Sequence, residues 1–247
     1  MKRNYRFAEL NISIESVYDN VHRLAKDYVT DEHKTDFDVI TTQENIDFER
    51  SRSERNDEME GIAPRQFSDG YLETLAVYRK IAEKLPYYSA VLIHGSCVSV
   101  GGVGYLFTAK SGTGKSTHAR LWREFFCDRA VMINDDKPLI RMTDEGPIIY
   151  GTPWDGKHRL STNTAVPLKA ICILERAEKN HITQVGVYEA YPMLLQQVYR
   201  PLDSVALAKT LPIVDKLADS ASLWKMGCNM NIEAAKIAYE AMEEGTK

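Results

Sequence analysis

No stretch of about 20 apolar residues occurs anywhere in the chain, so no segment reads as a membrane-spanning helix. Nor does an apolar run follow the basic start, Met1-Lys2-Arg3-Asn4-Tyr5-Arg6. A secretory signal needs roughly 7–15 such residues there. The expectation is a soluble, cytoplasmic chain with no membrane partner. Paired cysteines are missing too. Cys97, Cys127, Cys172 and Cys228 are scattered without a CxxC spacing, which speaks against a zinc site or a disulfide scaffold. Cys97 and Cys172 sit in apolar, strand-like runs and read as buried reduced thiols. Positive charge is not in excess: 31 Lys plus Arg face 35 Asp plus Glu, for a formal charge of −4. Nucleic acid and anionic membranes therefore gain no electrostatic argument as partners. Internal repeats and low-complexity tracts are lacking as well.

What is present is an ordinary share of core-forming residues, 44% hydrophobic in 247, enough to bury a sizeable core. Two parts are expected, an N-terminal α+β region over 1–89 and a larger α/β region over 90–247. The first mixes short β-like runs, such as Val39-Ile40-Thr41-Thr42, with a polar stretch over 50–58 that reads as a solvated helix face or loop. A helix follows, capped by Asp69 and closed by Pro86, with Tyr71, Leu75, Tyr78, Ala82 and Leu85 as its apolar stripe. The second part opens on strands over 90–94 and 103–108, joined through Gly101-Gly102 as a hairpin. A helix with Ala119, Trp122, Phe125 and Phe126 on its buried side comes next, then a strand over 130–133. A second hairpin pairs 138–140 with 148–150 about a turn at Asp144-Glu145-Gly146, and 170–174 is a buried strand. The remainder reads as helical: one helix over 190–199, two separated near Pro212, and a last one with Ile232, Ala235, Tyr239 and Met242 on one face.

The chemistry concentrates in Ala109-Lys110-Ser111-Gly112-Thr113-Gly114-Lys115-Ser116, which fits the phosphate-loop pattern with Ala109 in the place of its first glycine. Glycines at 112 and 114 let successive N–H groups point into one concavity, and the following helix offers its positive end to phosphate. Ser111, Gly112, Thr113, Gly114, Lys115, Ser116 and Thr117 are the candidate residues for ATP. Lys115 would neutralise the β and γ phosphates, while the Ser116 hydroxyl would hold Mg2+. Asp135-Asp136, at the end of the next strand, adds a carboxylate pair in which one member can face the metal and the other the substrate.

These residues resemble the catalytic domain of the HPr kinase/phosphorylase family and its relative, ATP-dependent phosphoenolpyruvate carboxykinase. The likeness rests on the loop, on the close Asp135-Asp136 pair and on His94-Gly95 upstream, and it covers about 90–190. It implies a P-loop fold with a mixed, largely antiparallel sheet and places His94 beside Asp136. The arginine-containing acidic signature that HPr kinases carry after the aspartate pair has no counterpart. In its place stands Gly151-Thr152-Pro153-Trp154-Asp155-Gly156-Lys157-His158-Arg159, so smaller HPr-kinase-like proteins, including peptide-modifying ones, are nearer company than enzymes acting on HPr. The expected activity is phosphoryl transfer from ATP with Mg2+ to a hydroxyl, on a serine of a peptide or protein or on a small molecule. Ser116 and Asp135 are expected at the metal, with Asp136 as a further candidate ligand and as the proton acceptor, supported by His94. Segment 151–159 is expected on the acceptor side, with Trp154 as a flat surface and Lys157 or Arg159 neutralising the moving phosphoryl group. A non-catalytic ATP sensor and a carboxykinase-like enzyme acting on oxaloacetate stay open, as does a homo-oligomer.

Overall fold

The computed structural model describes residues 1–245. The chain forms two compact units, Met1–Lys84 and Leu85–Lys247. In the first, β1 (Lys2–Phe7) and β2 (Leu10–Glu15) pair antiparallel. The short helix α1 (Asn20–Leu24) leads to β3 (Phe37–Ile40), which lies parallel to β2. Two longer helices follow, α2 (Gln43–Glu60) and α3 (Asp69–Lys84). The polar stretch over 50–58 is thus helix, and the buried acids of α2 are paired. Asp57 accepts from the Arg65 guanidinium, and Glu49 accepts from Arg79 of α3 at 2.5 and 2.9 Å.

The stripe that the spacing suggests is buried only at its end, at Ala82 and Leu85, and the rest of the buried face of α3 is turned from it. Tyr71 is 41% exposed, whereas Leu72, Ala76, Val77 and Ile81 are buried. Glu73 lies on that buried face because its carboxylate accepts from the main-chain N–H groups of Val17 and Tyr18, at 2.7 and 2.8 Å, and from the Thr41 hydroxyl. A charged residue inside the core defeats a rule that ranks faces by hydrophobicity alone.

The second unit contains β4 (Ala90–Leu92), β5 (Ser96–Val100), β6 (Val103–Thr108), α4 (Lys115–Phe126), β7 (Ala130–Asn134), β8 (Leu139–Thr143), β9 (Gly146–Tyr150) and β10 (Ala165–Arg176). Then come β11 (His181–Gln184), α5 (Val187–Gln197), α6 (Ser204–Ser220), β12 (Ser222–Cys228) and α7 (Glu233–Glu244). Its strands form one mixed sheet in the order β4-β8-β9-β10-β6-β5-β7, with β12 on the other side of β10 and β11 outside β12. The long β10 joins the two halves. Its first residues pair antiparallel with β9, and after a register shift between Leu168 and Ala170 it runs parallel to both β6 and β12. Helices α4 and α7 cover one face, with Trp122 and Met242 packed around Tyr105 and Phe107. Helices α5 and α6 cover the other, with Leu194 and Leu217 beside Leu106 and Ile171. The architecture is mixed α/β. Cys97 and Cys172 are buried free thiols in it, pushed far above their ordinary pKa by desolvation. Among the described residues, no helix is long and apolar enough to cross a membrane.

Three local expectations are corrected. The Gly101-Gly102 hairpin joins β5 to β6, not the strand at 90–94, which pairs with β8 instead. The stretch after 174 is not all helix. Strand β12 lies parallel beside β10, and Lys225 interrupts the apolar run that would have marked it. Pro212 does not divide two helices: α6 runs through it. The ring costs one helical bond to the carbonyl of Ala208. Both residues lie on the exposed side, where water can satisfy that carbonyl, while Thr210, Ile213, Val214 and Leu217 hold the opposite side in the core.

Candidate functional site

The loop over 109–114 connects β6 to α4, so a strand, a turn and a helix stand in direct succession. Ala109 is fully buried and does not have a positive φ, which is why a side chain is accepted there. Gly112 and Gly114 have φ of 74° and 128°, backbone that an L side chain adopts only under strain. Gly114 is the N-cap of α4 and provides no capping side chain, leaving the first-turn N–H groups to whatever occupies the loop. Lys115 is 8% exposed, and its Nζ donates to the Ala109 carbonyl at 3.0 Å. Burial lowers its pKa, and the nearby Asp136 works against that. Arg176, at the end of β10, donates to the carbonyls of Gly112 (Nη2, 2.5 Å) and Thr113 (Nε, 3.4 Å).

The carboxylate pair lies beside this loop because β7 returns next to β5. Asn134, which precedes the two acids, shapes the turn that carries them. Its Oδ1 accepts from the N–H groups of Asp136 and Lys137 at 2.8 and 2.7 Å, and its Nδ2 donates to the Thr152 carbonyl at 2.9 Å. The turn this creates sends neighbouring side chains in different directions. Asp135 is buried at 8% exposure and accepts from Ser96 Oγ at 2.7 Å. Burial pushes its pKa up, while hydrogen bonds from Ser96 and Ser116 and the charge of His158 hold it down. Asp136 faces the other way. Its Oδ1 lies 3.4 Å from His94 Nε2, and its Oδ2 lies 2.6 Å from Lys137 Nζ. The remaining ring nitrogen of His94 meets Gln197 Oε1 at 3.1 Å. Desolvation and the Lys115 charge lower the pKa of His94, with Asp136 opposing them, so the imidazole is neutral near pH 7.

Segment 151–159 meets the pair from outside. A Cβ added at Gly156 (φ 70°) would stand 3.3 Å from the Asp136 Cβ, so the backbone runs close to that carboxylate. His158 shares a pocket of about 160 Å³ with Ser116, Thr117, Asp135 and Arg123. Trp154 is 7% exposed, an interior residue rather than the flat surface expected of it. Arg159 folds back onto Asp155 at 3.4 Å, and Lys157 is exposed with no ion pair among the described residues. The structure therefore brings together the 109–117 loop, Asp135, Asp136 and His94, with Gly156 and His158 of the 151–159 segment beside them. Ser96, Lys137, Gln197 and Arg176 join the site without having been singled out by their sequence. Lys137 directly follows the acid pair and was within reach of sequence reasoning. Gln197 and Arg176 carried no local signal.

No group of three or more His, Cys, Asp and Glu side chains among the described residues could hold a metal ion by itself. The oxygen donors of Ser116 and Asp135, already hydrogen-bonded, nevertheless fit magnesium, a hard cation that takes its other ligands from phosphate and water.

No family model and no curated protein matches the chain. Among solved structures, an HPr(Ser) kinase/phosphatase from Coxiella burnetii is similar at 10% identity and a TM-score of 0.32, over 62% of this chain and 99% of that one. A likeness that slight carries no argument for a shared fold or activity.

Proposed function

We propose that the chain is a kinase-like enzyme that transfers the γ-phosphoryl group of ATP to a hydroxyl on a peptide, a protein or a small molecule. The observation that carries this reading is the glycine loop at the start of α4, standing beside two adjacent carboxylates that Asn134 turns apart. Loop amides, the helix N-terminus and Lys115 neutralise the phosphates and fix their direction. The acceptor oxygen attacks the γ phosphorus, the bond to the β–γ bridging oxygen breaks, and ADP leaves with that electron pair. The hydroxyl proton passes to Asp136 Oδ1, since Lys137 occupies the other oxygen. His94, its Nδ1 held by Gln197, places Nε2 beside that same oxygen, where it can accept the proton Asp136 takes up. Magnesium at Ser116 and Asp135, directly or through water, would supply neutralising charge to the phosphate oxygens.

A ligand that binds only the native state stabilises it by about 2.7 kcal/mol at a hundred times its dissociation constant. ATP with magnesium should therefore raise the melting temperature, and Lys115→Ala should remove most of the rise. An unchanged rise in the variant would show that Lys115 does not meet the phosphates. Following labelled γ-phosphate into serine-bearing acceptors, with oxaloacetate as the rival substrate, separates the kinase from a carboxykinase-like enzyme. Transfer to neither would leave a nucleotide sensor.

A further inference from the structure

Two pockets open beside the loop, and Arg176 lines both. One, of about 490 Å³, is bounded by Thr117, Ala177, Cys228 and Met230. The other, of about 520 Å³, is bounded by Lys110, Glu175, Glu189 and Lys225. We infer that the base and ribose of the bound nucleoside triphosphate lodge in the first pocket, packed between Met230 and the Arg176 guanidinium. This rests on the nucleotide reading of the loop and adds where the donor's other end goes.

Three observations carry it. Strands β6, β10 and β12 run parallel, and the pocket lies outside the carboxyl ends of all three. Such crevices are where open α/β sheets take their ligands. The direction of the phosphate chain also follows from the loop. Lys115, which meets β and γ phosphates in loops of this type, reaches back to the Ala109 carbonyl at the loop's entrance, within the field of Asp136. The reacting end therefore lies there, and the nucleoside end lies toward Thr117, on the first turn of α4. Finally, the linings differ in chemistry. Ala177, Cys228 and the 77%-exposed Met230 offer apolar, polarisable surface, and a guanidinium stacks on a flat heteroaromatic face. The other pocket also has apolar walls, at Ile173, Leu174, Val185, Pro192 and Met193, but sets Lys110, Glu175, Glu189 and Lys225 among them, charges that an uncharged base does not match.

The test compares the dissociation constants of ATP and inorganic tripolyphosphate, each with magnesium, by titration calorimetry on the full chain. Ala177→Trp fills the first pocket, Met230→Asp adds a charge to its rim, and Glu189→Trp crowds the second. The first two should weaken ATP by about tenfold or more and leave tripolyphosphate within about twofold; Glu189→Trp should change neither. Tripolyphosphate binding also reports that each variant is folded. Unweakened ATP in both first-pocket variants would overturn the assignment while leaving the phosphate loop intact. So would loss of ATP affinity in Glu189→Trp alone. If the wild-type chain binds neither ligand, the nucleotide reading itself fails and this inference falls with it.

Discussion

Asp135 and Asp136 have the same side chain and adjacent positions, so any difference in their roles comes from what surrounds them. Asp135 is buried against Ser96 and Ser116, and Asp136 opens toward His94 and Lys137. Asp136→Asn removes a proton acceptor without touching the loop. Transfer should fall on the order of 10²–10⁴-fold, with ATP affinity nearly unchanged. Asp135→Asn removes a charge beside the Ser116 hydroxyl and should weaken ATP binding only when magnesium is present. Single-turnover transfer and calorimetry with and without magnesium distinguish the two variants. An exchange of their phenotypes would reverse the roles, and near-normal turnover in both would remove the pair from the mechanism. Lys157 and Arg159, expected as cations at the moving group, stand in different surroundings. One is exposed, and the other is held by Asp155 only four residues away. Charge in a sequence marks a residue as able to neutralise, but only its position decides what it neutralises.

Helix α4 presents the glycine loop's last residues at one end and a buried imidazole one turn further on. His118 accepts from Trp122 Nε1 at 3.1 Å and packs edge-on to Phe107, with its Nδ1 buried and unpartnered. Burial drives its pKa down to about 3. An unfolded histidine titrates near 6.5, so between these values the unfolded chain binds a proton that the folded one does not. The stability this provides is complete above about pH 6.5 and is lost as pH falls toward 3, by up to about 1.4 kcal/mol per pH unit. His118→Leu should flatten that dependence in urea unfolding measured at pH 7 and pH 5. It should also cost about 1–3 kcal/mol at pH 7, because Trp122 loses its acceptor. A dependence as steep in the variant as in the wild type would place the acid sensitivity elsewhere, with His22 of the first unit, whose pKa burial also lowers, next in line.

The loop, Asp135, Asp136, His94 and their partners all lie within Leu85–Lys247. A fragment beginning at Leu85 should therefore fold and bind ATP with magnesium within a few-fold of the full chain, as measured by calorimetry. Failure of a folded fragment to bind would assign the first unit a part in the site. Across the molecule, the sequence by itself determined what is carried by contiguous residues. The glycines and lysine of the loop, the two acids at a strand end and the turns at Gly101-Gly102 and Asp144-Glu145 are each read from neighbours along the chain, because backbone conformation there depends on local sterics and hydrogen bonding. Tertiary structure alone decided the rest. It set the pairing of β4 with β8, the parallel placement of β12 and the passage of α6 through Pro212, all outcomes of packing energy that outweighs local preference. It also brought Ser96, Arg176 and Gln197 to the loop and the acids from separate elements. No sequence window spans those separations, because such contacts exist only after burial has drawn the strands together.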